Sequence, residues 1–368
     1  MAFDNIIGQK RVKSFFQKAM DHGRIAHAYL FIGEKGVGKE ALAVEFAKGL
    51  LCSNGLSCTK HDCEDCSRIS KLSHPDLVFV FPAPAKMSNE DRVRIMESIV
   101  ANPYSRLEVW ANPLISIERI REFRRTSAYK SFEGRGRVLI IADCERLTTE
   151  ASNALLKILE EPPEKTYLIM VSSKPNLLLP TIMSRCQEVK FDSLTFDEIE
   201  QALQERTAAD KNQARLTARM CRGSYGRALQ LLDENLQELQ DQALDFFRKG
   251  IQNQVIQIQF VEELINRYQR DSAKIKELLR MVVNWFRDAM IFVETDGEQK
   301  DALINIEQVE VFRNFAKNFP NADLYSSIFE LEKSLQQIER NAHINLVLIV
   351  LLNKLRRHLT AKATPKQD

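Results

Sequence analysis

One run of twelve residues constrains this chain more than any other: Tyr29-Leu30-Phe31-Ile32-Gly33-Glu34-Lys35-Gly36-Val37-Gly38-Lys39-Glu40. Four apolar residues that read as a buried strand enter a Gly-rich turn, and Ala41 to Lys48 reads as a helix. Strand, GxxxxGK and helix in that order make a phosphate-binding loop. Gly33, Gly36 and Gly38 let backbone N–H groups converge on a phosphate, the helix N-terminus adds its positive end, and Lys39 reaches the outer phosphates. One position departs from the pattern. The hydroxyl residue that would hold Mg²⁺ is Glu40. A carboxylate about 4 Å from a phosphate oxygen costs roughly 4 kcal/mol at an effective dielectric near 20, so nucleotide binding is expected to be weak or absent.

The same kind of alteration recurs further along. Val138 to Asp143 reads as a buried strand ending in an acid, and an aspartate there is placed to hold a nucleotide-bound Mg²⁺. A glutamate should follow to polarise water. Cys144 follows instead, a thiol mostly protonated at neutral pH, and Glu145 comes one residue late. If the strand alternation continued, Glu145 would point away from Cys144. Residues that would handle metal and water are thus both altered.

Just after the loop helix stand Cys52, Cys58, Cys63 and Cys66, spaced C-x5-C-x4-C-x2-C. Thiolates are soft ligands, and four so close can close a tetrahedron around Zn²⁺. Such a site leaves no open position, so the metal would be structural. His61 and His74 are spare ligands.

Further elements follow from periodicity. Lys10 to Met20 carries a helical stripe at Val12, Phe15, Phe16 and Ala19; Leu77 to Phe81 and Tyr167 to Ser172 read as strands; Glu188 to Phe191 closes the sheet. Segment 83–113 is charged and broken by prolines, with a helix around Asp91 to Ile99, and no chemistry can be assigned to it. Arg119, Arg121, Arg124, Arg125, Lys130, Arg135 and Arg137 form the most basic stretch, either a solvated face or a phosphate contact. The whole chain, with 52 basic and 50 acidic side chains, carries only +2, so any DNA contact must be local. No basic-then-apolar leader opens the sequence. The apolar run Ile344 to Leu352 falls far short of the roughly 18 residues of a membrane helix. A cytoplasmic protein without a membrane partner is expected, and its seven cysteines then suit metal or free thiol better than disulfides.

Ala151-Ser152-Asn153-Ala154-Leu155-Leu156-Lys157-Ile158-Leu159-Glu160-Glu161-Pro162-Pro163, followed by Ser184-Arg185-Cys186, resembles the AAA+ subunits of bacterial clamp loaders. His27 to Phe31 and the cysteine insertion fit the same family, although the second cysteine is displaced from its usual spacing. The resemblance covers about residues 1–230 well and the rest loosely. It implies an α/β AAA+ P-loop module with a parallel five-stranded sheet over 1–192, bearing the insertion at 52–66. A small helical lid over 193–232 and an all-α oligomerisation collar over 233–368 complete it. Arg227 falls on the lid's second-sensor arginine, and Arg185 on an arginine that a subunit donates to its neighbour's ATP site. In the family's motor subunits the loop lysine is followed by Thr or Ser and the strand-end aspartate by glutamate. Glu40 and Cys144 therefore point to a member with a degenerate site, a non-hydrolysing stator. Partners implied are the gamma/tau and delta subunits, the sliding clamp through delta, and primer–template DNA. Two other readings stay open: a motor in which Glu40 ligates Mg²⁺ and Glu145 swings in as base, or a zinc-stabilised AAA+ adaptor for another DNA transaction.

Overall fold

The computed structural model describes residues 3–54, 58, 63–84, 86–107, 109–110, 113–127, 131–233, 236–269, 271–299 and 302–360. His61 and Lys130 lie outside them. The chain divides into two compact units, Met1–Gln230 and Leu231–Asp368.

In the first unit, α1 (Lys10–Asp21) precedes β1 (Ala28–Ile32) and the loop helix α2 (Lys39–Leu51). Next come α3 (Glu64–Ser70), β2 (Leu77–Val80), α4 (Asn89–Ala101), α5 (Ile117–Ser127) and β3 (Arg137–Ile141). Then follow α6 (Thr149–Glu160), β4 (Thr166–Ser172), the short α7 (Pro180–Met183) and β5 (Gln187–Lys190). The five strands form one parallel sheet in the order β2-β3-β4-β1-β5. Strands β1 to β4 are near-continuous apolar runs because helices cover both faces, whereas the edge strand β5 (Gln187–Lys190) is mostly polar and exposed. One face holds Leu30, Leu139, Ile141, Leu168 and Met170 against Ile120, Phe123, Leu155 and Ile158 of α5 and α6. On the other, Phe16 of α1 meets Phe46 of α2 at 4.5 Å between ring centres and Phe31 at 5.4 Å. The sheet and loop are thus the α/β class expected from the sequence. Three helices, α8 (Phe196–Arg206), α9 (Lys211–Met220) and α10 (Tyr225–Asp233), complete this part, and the boundary between the units falls within α10.

Among the described residues the second unit is helical: α11 (Leu236–Gly250), α12 (Gln254–Arg267), α13 (Ser272–Glu294), α14 (Val309–Asn318), α15 (Leu324–Glu339) and α16 (Ile344–Thr360). Its core gathers around α13, where Trp285 stacks on Phe247 at 4.9 Å and packs on Phe312 and Phe315. Buried Asp288 accepts hydrogen bonds from the Ile304 amide at 2.9 Å, the Asn305 amide at 2.8 Å and Asn305 Nδ2 at 2.7 Å. Removing the acceptor strands these donors in the core. Hydrogen bonds to a charged group contribute about 1.5–3 kcal/mol each, so Asp288→Ala is expected to destabilise this unit by about 3 kcal/mol or more. A urea unfolding midpoint that does not move would refute this. No described helix is long and apolar enough to cross a membrane.

Candidate functional site: an altered phosphate loop and a four-cysteine cluster

The loop runs from the carboxyl end of β1 into α2, beside the ends of β3 and β4, where open parallel sheets bind ligands. Gly36 and Gly38 adopt φ of 76° and 100°, values L side chains rarely take. A Cβ at Gly36 would lie 2.3 Å from Ser224 Oγ, and one at Gly38 would lie 2.9 Å from the Tyr104 ring. The loop is therefore tightly covered by other parts of its own unit.

Lys39 does not project from the loop. Its buried Nζ donates to the carbonyls of Gly33 (2.6 Å) and Glu34 (2.5 Å). Burial lowers the lysine's pKa, against the opposing pull of Glu40, Asp143 and Glu145. Glu40, in the first turn of α2, lies 3.4 Å from Arg106, whose other terminal nitrogen pairs with Asp143. Burial works against the Asp143 carboxylate, but the Arg106 guanidinium and Lys35 more than offset it and leave the pKa below the ordinary value. Glu40 is farther from the guanidinium. Burial, aided by the nearby Asp143 charge, pushes its pKa up. One arginine thus bridges the two residues that occupy the metal-ligand positions. Mg²⁺ does not fit this arrangement as it stands.

Sequence reasoning missed Arg106 altogether, because it comes from the segment given no chemistry. Its neighbour Tyr104 accepts a hydrogen bond from the Ile7 amide at 2.8 Å and meets Tyr225 edge-on at 5.1 Å. Neither residue belongs to a motif. No local sequence signal marked either of them.

At the end of β3 the expectation needs correction. The strand stops at Ile141, Asp143 takes a left-handed conformation (φ 47°, ψ 51°), and Cys144–Arg146 forms a 3₁₀ turn. Strand alternation does not continue, so it cannot place Glu145. A short polar side chain such as aspartate tolerates this conformation, and the sharp turn sends Cys144 into the core. Burial raises the Cys144 thiol's pKa well above its ordinary value, so it cannot act as a base near neutrality. Glu145 Oε1 accepts from Ser173 N (3.2 Å) and Ser173 Oγ (2.8 Å) at the tip of β4. Arg227 sits in the first turn of α10, next to Gly226, whose amide donates to the Gly36 carbonyl at 3.1 Å.

The four cysteines come together. Sulfur separations are 3.4 Å for Cys52–Cys63, 3.5 Å for Cys58–Cys63 and 3.8 Å for Cys58–Cys66. A zinc tetrahedron with Zn–S near 2.3 Å has edges of about 3.8 Å, so the cluster fits such an ion. Cys63 caps α3, and the Cys66 amide pulls its thiol down to about 7, while burial pushes Cys52 up to about 11. Spare ligand His74 is not recruited. Its Nε2 lies 3.1 Å from Glu133 and its Nδ1 accepts from the Asp76 amide.

The basic stretch is not one surface. Arg137 is buried 3.4 Å from Asp76, and Arg135 donates to the Cys52 carbonyl at 2.7 Å. Arg119 lies over the Phe81 ring, whereas Arg121, Arg124 and Arg125 are exposed. Arg185, between α7 and β5, pairs with Glu160 at 2.9 Å and donates to the Thr181 carbonyl at 3.0 Å.

A family model described as "DNA polymerase III, delta subunit" matches residues 8–195, just over half of the chain. The chain belongs to that family. It is 32% identical over 212 residues to DNA polymerase III subunit delta' of Bacillus subtilis (strain 168), covering 58% of this chain and 56% of that protein. Subunit tau of the same organism aligns at 24% identity over 391 residues, all of this chain and 64% of the relative. Subunit tau of Escherichia coli (strain K12) is 30% identical over 238 residues, 63% of this chain and 32% of that protein. The chain thus spans between about a third and just under two thirds of the length of these relatives.

Proposed function

We propose that this chain is the delta-prime subunit of the bacterial replicative clamp loader, a stator that does not hydrolyse ATP. It works within a ring of gamma/tau and delta subunits that places the sliding clamp on primer–template DNA, in the cytoplasm. The observation that carries this reading is the pairing of Glu40 and Asp143 with one internal cation, Arg106. Among the described residues, Lys39 is held on loop carbonyls, Cys144 is buried as a thiol and Glu145 accepts from Ser173, which supports a loop not set up to grip an outer phosphate or activate water.

Structural Zn²⁺ at Cys52, Cys58, Cys63 and Cys66 shapes the insertion in this reading. The helices of 193–232 act as a lid, and those from 233 onward as the collar. Two i,i+4 apolar pairs left exposed on the second unit, Tyr325 with Phe329 and Leu346 with Val350, suit packing against other subunits. Arg185 is the residue given to a neighbour's ATP site. β5 is parallel to β1 with Gln187 beside Tyr29, so Arg185 enters the sheet at the end away from its own loop. Tyr29 alone is four residues, about 13 Å of strand, behind Gly33.

A second reading, an ATP-hydrolysing motor subunit, is favoured by the alignment to tau over the whole chain. Phosphate release separates the two. The isolated chain is expected to give no turnover above background at millimolar MgATP. Steady hydrolysis that disappears on Lys39→Ala would overturn the stator and establish the motor.

A further inference from the structure

We propose that Arg106 is a built-in substitute for the divalent cation of this phosphate loop, and that it actively keeps a metal ion out. The inference rests on the stator reading and deepens it. There the Arg106 pairing marks the loop as inactive; here the two carboxylates remain competent for a metal, and the arginine is what keeps it out.

Three observations converge on Arg106. Its guanidinium touches both carboxylates, Glu40 from the first turn of α2 and Asp143 from just past the end of β3. All three side chains are largely buried, with 11% of Arg106, 18% of Glu40 and 9% of Asp143 exposed. The segment carrying it is also fixed beside the loop. Tyr104 lies against Gly38, its hydroxyl accepts from the Ile7 amide, and the Tyr104 carbonyl would be 2.2 Å from a Cβ at Gly226. Arg106 is therefore delivered to its place by packed backbone and not by a chance surface excursion.

The chemistry follows from charge and ligand type. Two buried carboxylates need a cation, and a guanidinium satisfies them with two-pronged donation. Carboxylate oxygens are hard ligands, which suit Mg²⁺ or Mn²⁺ once the guanidinium is gone. A metal ion entering the native chain would have to displace Arg106 and leave its charge buried without those partners. Removing the arginine should therefore create a cation site, the opposite of what loss of an ordinary binding residue does.

The test is a Mn²⁺ titration of the full chain, with free Mn²⁺ read by electron paramagnetic resonance. Arg106→Ala is expected to bind one Mn²⁺ at least tenfold more tightly than the native chain. Adding Asp143→Asn should abolish the gain, and Arg106→Lys, which keeps a cation there, should not show it. If Arg106→Ala does not fold, Arg106→Gln removes the charge at similar length and serves the same comparison. A folded neutral variant with no gain overturns the proposal. So does native protein that already binds Mn²⁺ in a manner lost on Asp143→Asn, a result that needs no Arg106 variant. ATP turnover does not enter this measurement, so failure of this inference leaves the stator reading standing, whereas steady hydrolysis by the isolated chain would overturn the stator reading independently of the Mn²⁺ titration.

Discussion

In an assembled, DNA- and clamp-stimulated complex, Arg185→Ala in this chain is expected to lower ATP turnover at the one neighbouring site it serves by about 10³-fold or more. Arginine fingers that stabilise phosphoryl transfer contribute about 10³–10⁵ in rate. The chain's own contacts do not preclude the role. Arg185 is 37% exposed and its partner Glu160 is 49% exposed. Exposed pairs of that kind contribute about 0–1 kcal/mol, so releasing the guanidinium to a phosphate costs little. Arg185→Lys should rescue little, because the planar fork is lost. Assembly should persist in both variants, checked by co-purification. Full stimulated turnover in an assembled Arg185→Ala complex would leave this chain a scaffold only.

Metal removal is the second large effect. Small structural zinc sites reach apparent binding energies of about 10–16 kcal/mol, comparable to the whole stability of a domain. Chelation is therefore expected to expose amides of α3 and its flanks to hydrogen exchange. The sheet should stay protected, because its core of Leu30, Leu139, Ile141 and Met170 is separate from the cysteines. Cys63→Ser is the informative substitution. Serine caps a helix as well as the Cys63 sulfur does here, so α3 keeps its cap while the site loses a ligand. Zinc content should fall in that variant. Elemental analysis finding no zinc in native protein prepared without chelator would refute the site.

What could be read from the sequence was whatever is local. Tyr29 to Glu40 announces its strand, turn and helix in twelve consecutive residues, and the cysteines lie close enough in sequence that spacing alone predicts their meeting. The end of β3 was legible only in part. The apolar run Val138 to Ile141 is plain, but nothing in the letters Asp143-Cys144-Glu145 marks the left-handed residue that ends the strand and turns Cys144 inward. Arg106 was not legible at all. It is 66 positions from Glu40 and 37 from Asp143, and only the folded sheet brings those carboxylates to it. The basic stretch was legible only as composition, for a related reason. Composition counts arginines, but Arg137 is buried against Asp76, and Arg135, though exposed, is tied to the Cys52 carbonyl.

The hydrogen bond from the Gly226 amide to the Gly36 carbonyl, with Ser224 Oγ donating to the Lys35 carbonyl at 2.7 Å, carries a thermodynamic consequence. A nucleotide wedged between a phosphate loop and a helix beyond the sheet couples their relative position to its own concentration, because only a ligand that distinguishes two arrangements can shift their balance. Here the loop and the start of α10 bond to each other directly. In the proposed stator role, with no nucleotide held at the loop, the joint's free energy would contain no term in ATP or ADP. A ring whose other members open and close with each hydrolytic cycle would thereby have one member whose internal angle is independent of the cycle, a fixed reference against which the others move.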